Sequence, residues 1–102
     1  MVKKTYFVVD DDPLIGEVVA ALLGGVGHEV VVNTSSVAAL PKIIAQPPDC
    51  VIIDIMMPEM DGIELCRQLR KQDHLANTKI IVLSAKSYEF DQRRAFEFGA
   101  DG

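Results

Sequence analysis

Aspartates at two places and a serine at a third carry the chemistry that this sequence could do. Val51-Ile52-Ile53 runs into Asp54, and a proline-containing loop follows at once. Tyr6-Phe7-Val8-Val9 runs into Asp10-Asp11-Asp12-Pro13, and Lys79-Ile80-Ile81-Val82-Leu83 runs into Ser84-Ala85-Lys86. Unbroken apolar runs of this length, rich in β-branched residues, read as strands buried on both faces, the pattern of a parallel sheet. In open α/β sheets, ligands bind at the carboxyl ends of the strands. The three stretches therefore predict a single rim that gathers acids, an acid and a hydroxyl. A carboxylate there is costly unless something pairs with it, and crowded carboxylates invite a hard cation. Mg²⁺ takes carboxylate, carbonyl and water oxygens and keeps positions open for phosphate. A carboxylate beside such a cation, with a hydroxyl nearby, suits phosphoryl transfer to the carboxylate itself, which makes Asp54 the candidate acceptor.

The set resembles the receiver domain of bacterial two-component response regulators. The matching pieces are Val8 to Pro13, Ile53 to Gly62, Ile80 to Ala85 and Phe98-Gly99-Ala100-Asp101-Gly102, in order and at the right spacing over the whole chain. The resemblance implies a flavodoxin-like (CheY-like) doubly wound α/β fold. It also implies a phosphoryl group received on Asp54 from a histidine kinase or phosphotransfer protein, with Mg²⁺ as cofactor. Such a domain is a signalling phosphoacceptor that assists its own phosphorylation and dephosphorylation. By the same resemblance Asp11 binds Mg²⁺ directly, and Asp10 acts mainly through water or by orienting the site. Asp54 and the main-chain carbonyl of Met56 complete the metal set, and Ser84 donates to a phosphoryl oxygen. In the family the chain continues into a fifth strand with an aromatic switch residue, then a lysine followed by proline, then a fifth helix. None of these follows Gly102 here. The expectation is one receiver domain over residues 1–102, incomplete at its C-terminus, with strand order 2-1-3-4. An open edge on strand four, offering Ile80 to Leu83, would then favour self-association.

The bulk properties agree. A chain of 102 residues holds one domain with one core, and a hydrophobic fraction of 49% suits a packed protein rather than a disordered one. The net charge of -5, with no interleaving of basic and aromatic residues, argues against direct contact with nucleic acid. Cys50 and Cys66 form neither a disulfide framework nor a metal pattern, so a reduced, cytoplasmic setting is expected. The apolar run after Lys3 and Lys4 stops at Asp10, too soon for a signal peptide or a membrane span.

These residues need elements to position them. Strands are predicted at Thr5 to Val9, Glu29 to Val32, Cys50 to Ile53 and Lys79 to Leu83. Asp12 caps a first helix with Pro13 in its first turn, and Gly24-Gly25 ends it. Ser35 or Ser36 caps a second helix running to Ala45, in which Pro41 predicts a kink or a later start. Asp61 caps a third, with an apolar stripe of Ile63, Cys66 and Leu69 widened by Leu65. A fourth helix is expected from Tyr88 to Phe98, closed by Gly99, with Phe90 and Phe96 also aromatic. Pro58 shapes the loop after Asp54, Met57 and Met60 pack it, and His28 and His74 read as surface residues.

Other readings turn on particular residues. A pseudo-receiver, an interaction module that never carries phosphate, is favoured by the missing lysine and opposed by the acids and Ser84. Lys86, in the loop after strand four, reads as a solvated side chain and no substitute for that lysine. A cobalamin module would need histidine where Pro13 stands, and a haloacid-dehalogenase-type phosphatase an aspartate where Met56 stands. Gly25-Val26-Gly27 follows a helix and lacks a third glycine, so it is a turn and no dinucleotide loop.

Overall fold

The computed structural model describes residues 2–83 and 99–101. The expected fourth helix, its aromatic residues, Ser84 and Lys86 lie outside the described residues. Four parallel strands, β1 (Thr5–Val9), β2 (Glu29–Asn33), β3 (Cys50–Asp54) and β4 (Lys79–Leu83), form one sheet in the order β2-β1-β3-β4. Between them run α1 (Pro13–Gly25), α2 (Ser36–Ala45) and α3 (Gly62–Arg70), and a short 3-10 turn at Asp73–Leu75 leads into β4. The predicted order 2-1-3-4 is the observed one. Among the described residues, no helix is long and apolar enough to cross a membrane.

Side chains alternate across each strand, so the sheet has two distinct faces. Phe7, Val9, Val51, Ile53 and Ile80 point to one of them, where they meet Ala39 and Ile43 of α2 and Ile63, Leu65, Cys66 and Leu69 of α3. Fully burying each large apolar side chain contributes about 1.5–3 kcal/mol, so this face dominates the stability. The α3 stripe read from the sequence is buried throughout. On the other face Val8 is buried beneath α1, and Gly16 sits so close to the Val32 side chain that a Cβ would collide with it. The outer side of α1 carries Leu14, Val18 and Leu22, exposed by 60, 48 and 69%.

The caps follow the sequence. Asp12 accepts from the Leu14 N–H, Ser35 from Ala38 and Asp61 from Glu64, each satisfying a helix N-terminal donor. Of the two outcomes expected at Pro41, the later start does not occur, because α2 starts at Ser36 and passes through it. The burial of Ala39 and Ile43 on either side of Pro41, together with the Ser35 cap, offsets the one backbone donor that proline removes. His28 and His74 lie at the surface as expected, His74 exposed and His28 half-buried, and each has a backbone partner. The Lys4 N–H donates to His28 Nδ1 and the Tyr6 ring packs edge-on against the imidazole, while His74 Nε2 lies 2.9 Å from the Ile44 carbonyl. Cys50 and Cys66 are buried and form no disulfide.

The edge of β4 is less open than expected. Asp101 N–H donates to the Ile80 carbonyl at 2.7 Å, and Asp101 Oδ2 accepts from the Ile80 N–H at 2.9 Å. Lys79 N–H and Leu83 C=O bond toward β3, and strand alternation sends the Ile81 groups the same way. Of the four residues expected to offer backbone groups, Val82 alone retains them on that side among the described residues. Arg70 anchors the segment that does this. Its Nε donates to Gly99 O, Nη1 to Leu75 O and Nη2 to Asp101 Oδ2, at 2.9, 2.9 and 2.7 Å. Gly99 has φ of 105°, and its missing Cβ leaves room for the Arg70 side chain.

Candidate functional site

Strand register creates the acidic rim. Val9 is level with Ile53, so Asp10 and Asp54 emerge side by side from adjacent strands at their carboxyl ends. The Asp10 N–H is held by the Asn33 carbonyl, which continues the β1–β2 ladder one residue further. The carboxylates of Asp10, Asp11 and Asp54 each place an oxygen within 4.8 Å of the others. Asp10 is buried, Asp11 exposed and Asp54 half-buried, so the cluster opens to solvent on one side. The sequence-predicted acids therefore meet. Asp12 stands apart as the α1 cap.

Backbone donors orient two of the three acids. The Asp12 N–H donates to Asp10 Oδ1 at 2.9 Å, and the Met56 N–H donates to Asp54 Oδ1 at 3.3 Å. These bonds favour the ionised forms, but burial outweighs them. Burial pushes the Asp54 carboxyl above its ordinary value of 3.8, and the neighbouring charges of Asp10 and Asp11 push it further. Burial does the same to Asp10, with Asp11 and Asp12 adding repulsion. A cluster of acids disfavoured as anions, all oxygen donors with neither nitrogen nor sulfur, matches what a hard divalent cation requires.

The loop after Asp54 is pinned by α3. The Ile55 N–H donates to Leu83 O, and the Gly62 N–H donates to Ile55 O. Gly62 lies against the main chain of Asp54 and Ile55, where a Cβ would collide with the Asp54 carbonyl. The sequence reading placed Gly62 at the start of a helix and missed this contact, for which a glycine directly after a capping aspartate was the only signal. Glu59 takes a left-handed conformation with φ of 68°. Met57 is buried and Met60 packs on the core, whereas the Met56 side chain is 59% exposed beside Asp54. Leu83 is level with Asp54, so β4 ends at the same rim; Ser84, the next residue, lies outside the described residues.

A parallel α/β sheet in the order 2-1-3-4, with an acidic cluster at the carboxyl ends of its first and third strands, defines a doubly wound domain of the CheY-like class. A sequence profile of the response regulator receiver domain matches residues 6–102, and the chain belongs to that family. It is 38% identical over 98 residues to the alkaline phosphatase synthesis transcriptional regulatory protein PhoP of Bacillus subtilis, covering 96% of this chain and 40% of that one. The chain thus spans about two fifths of the length of that relative. Among solved structures, the chemotaxis response regulator CheY4 of Vibrio cholerae superposes with a TM-score of 0.93 at 28% identity, covering 99% of this chain and 84% of that one. The BeF3-activated N-terminal receiver domain of Klebsiella pneumoniae RstA gives 0.85 at 35% identity, covering 94 and 80%.

Proposed function

We propose that this domain receives a phosphoryl group on Asp54 from the phosphohistidine of a histidine kinase or phosphotransfer protein, and signals by the change in surface that follows. The observation that carries the reading is the meeting of the Asp10, Asp11 and Asp54 carboxylates at the carboxyl ends of β1 and β3, in a chain of the receiver family. An Asp54 oxygen attacks phosphorus, the O–P bond forms as the N–P bond to the donor imidazole breaks, and the imidazole leaves with the electron pair. The Met56 N–H holds the other role, fixing the Asp54 carboxylate through Oδ1. Asp10, Asp11, Asp54 and the Met56 main-chain carbonyl would hold Mg²⁺. When bound, that ion supplies neutralisation of the crowded charge and polarisation of the phosphoryl oxygens. Ser84 donates to a phosphoryl oxygen in this scheme. Two copies joined through the Val82 groups of the β4 edge belong to the same proposal, with a doubled mass in light scattering as the readout.

The test uses a small phosphodonor, phosphoramidate, with Mg²⁺ and the whole chain. A single phosphoryl mass increment should appear, map to Asp54 and vanish in Asp54→Asn. Mg²⁺ alone should shift the amides around Asp11, Asp54 and Met56 and raise Tm, since it binds the folded state only. Metal binding without any phosphoryl transfer would favour the pseudo-receiver reading. Amide shifts confined to distant surface acids would mean that the rim is not the metal site.

A further inference from the structure

β2 is an edge of the described sheet and pairs with β1 alone. The Glu29 N–H donates to Lys4 O and the Asn33 carbonyl accepts from Asp10, so Glu29, Val31 and Asn33 turn their backbone groups toward β1. Alternation turns the N–H and C=O of Val30 and Val32 outward, where nothing among the described residues receives them. Exposed edges are usually blunted by lysine, proline, a bulge or a covering segment. Val30-Val31-Val32 has neither lysine nor proline, pairs in unbroken register, and exposes Val31 by 45% and Val32 by 38% on opposite faces.

Beside this edge, under the C-terminal half of α2, runs a groove of about 540 Å³ lined among others by Phe7, Val31, Lys42, Ala45 and Pro47. That is within the span of about 300–1,000 Å³ typical of ligand sites. Phe7, Val31 and Ala45 make part of the groove apolar, Thr5 and Gln46 add polar groups, and Glu29 at one end is paired with Lys3. Lys42 is exposed at its rim and takes part in none of the ion pairs of the described residues, which join Lys3 to Glu29, Arg67 to Glu64 and Arg70 to Asp101.

We propose that the free edge of β2 and this groove take an extended apolar peptide segment of a partner protein, added to the sheet as a strand, with a carboxylate meeting Lys42. Two outward residues separated by one turned inward ask for an extended backbone, because only a strand repeats its donors and acceptors at that spacing. A second copy of this chain fits badly. α1 lies over Val32 at the same edge, with Gly16 in contact. A symmetric mate would bring two such helices over strands about 4.8 Å apart, whereas packed helices need about 8–10 Å. A segment without flanking helices avoids that collision. The site lies toward the amino ends of the strands, away from Asp54, and the proposal stands independently of phosphoryl transfer.

The probe is a capped peptide, Ac-Thr-Val-Thr-Val-Asp-Thr-NH2, titrated into the isotope-labelled whole chain. Amide shifts should be confined to residues 29–33 and 42–48, and hydrogen exchange at Val30 and Val32 should slow. N-methylation of the peptide valines should raise Kd about tenfold, as loss of its backbone hydrogen bonds requires. Val31→Lys should weaken binding by a similar factor while leaving Tm unchanged, and Lys42→Glu should reverse the preference between the aspartate peptide and its lysine counterpart. The proposal is overturned by an absence of shifts at millimolar peptide, by equal binding of the N-methylated peptide, or by shifts centred on α1. It is also overturned if Val30 and Val32 are already protected without peptide in a species of doubled mass.

Discussion

At the amino end of the sheet Asp49 and Asp101 are tied down; at the carboxyl end three carboxylates are pushed together. Asp49 accepts from both the Thr5 N–H, at 2.8 Å, and the Thr5 hydroxyl, and Asp101 is held by Arg70 and the Ile80 N–H. These contacts tie the start of β1 to that of β3, and the start of β4 to Arg70 of α3. Asp10 and Asp54 instead receive one backbone donor each and face one another and Asp11 across the rim. The same residue type thus stabilises one end of the molecule and strains the other. The difference is the one the proposed metal and phosphoryl site calls for, since an apolar or paired alternative would have cost the fold less.

The contrast is best broken by crowding the strained end. In Gly62→Ala the new methyl collides with the Asp54 carbonyl, so either α3 or the loop must shift. We expect a loss of about 3 kcal/mol in urea denaturation, the upper range for overpacking. Weaker Mg²⁺ binding should accompany it. A loss below about 1 kcal/mol would show that α3 moves away easily and that Gly62 does not hold the acceptor loop.

The tied end is broken by Arg70→Met, which keeps the aliphatic packing and removes three donations. Stability should fall by about 2 kcal/mol, because charge-assisted bonds are lost and the Gly99 and Leu75 carbonyls are left to find water. Hydrogen exchange at Ile80 should quicken, since Asp101 then lacks its anchor. Unchanged exchange at Ile80 would mean that the 99–101 segment holds to β4 without Arg70.

These two residues also mark how much was legible beforehand. The strands Thr5–Val9 and Lys79–Leu83 could be read because unbroken runs of β-branched and apolar residues favour a strand, although the expected burial on both faces fails in β4, where Ile81 and Leu83 are exposed. Asp12, Ser35 and Asp61 could be read because capping chemistry is local. Asp10, Asp11 and Asp54 could be grouped because parallel strands deliver their ends to one rim. Arg70 was silent: its acceptors lie 5, 29 and 31 residues away. The partner of His28 was silent for the same reason, its bond to the Lys4 N–H spanning 24 residues. At Pro41 the later helix start did not follow, because the local penalty is real but smaller than the burial on either side of it. The close approach of Gly62 to Asp54 depends on the loop between them, which no periodicity describes.

A smaller effect, of opposite sign, sits in that loop. Glu59 occupies a left-handed conformation that costs most non-glycine residues about 1–2 kcal/mol. Glu59→Gly should therefore gain roughly 0.5–1 kcal/mol, the added freedom of glycine in the unfolded chain offsetting part of the relief. Thermal melts would show it directly. A loss instead would mean that the Glu59 side chain holds the loop by some contact worth more than the strain.

The smallest effects sharpen the comparison most, because they isolate charge. Burial first, then the neighbouring acids, holds the Asp54 carboxyl above 3.8. The Thr5 backbone N–H, then its hydroxyl, holds Asp49 below 3.8. For Asp54 the folded protein disfavours the anion, so the penalty is fully present above the folded pKa and gone once the pH falls below 3.8. For Asp49 the folded protein favours the anion, so its contribution is present above 3.8 and is lost as the pH falls through the lower folded value. Substitution by asparagine keeps an acceptor oxygen at each place and removes the charge. Near neutrality, without divalent ions, Asp54→Asn should raise Tm and Asp49→Asn should lower it. In strong acid both differences should shrink toward zero, since the parent carboxyls are then neutral as well. Mg²⁺ should reverse the advantage of Asp54→Asn near neutrality while leaving the Asp49→Asn difference as it was, because the ion answers the crowding at one end of the sheet and finds nothing to answer at the other. Shifts of the same sign for the two substitutions, with or without the ion, would mean that the two ends do not treat a carboxylate differently.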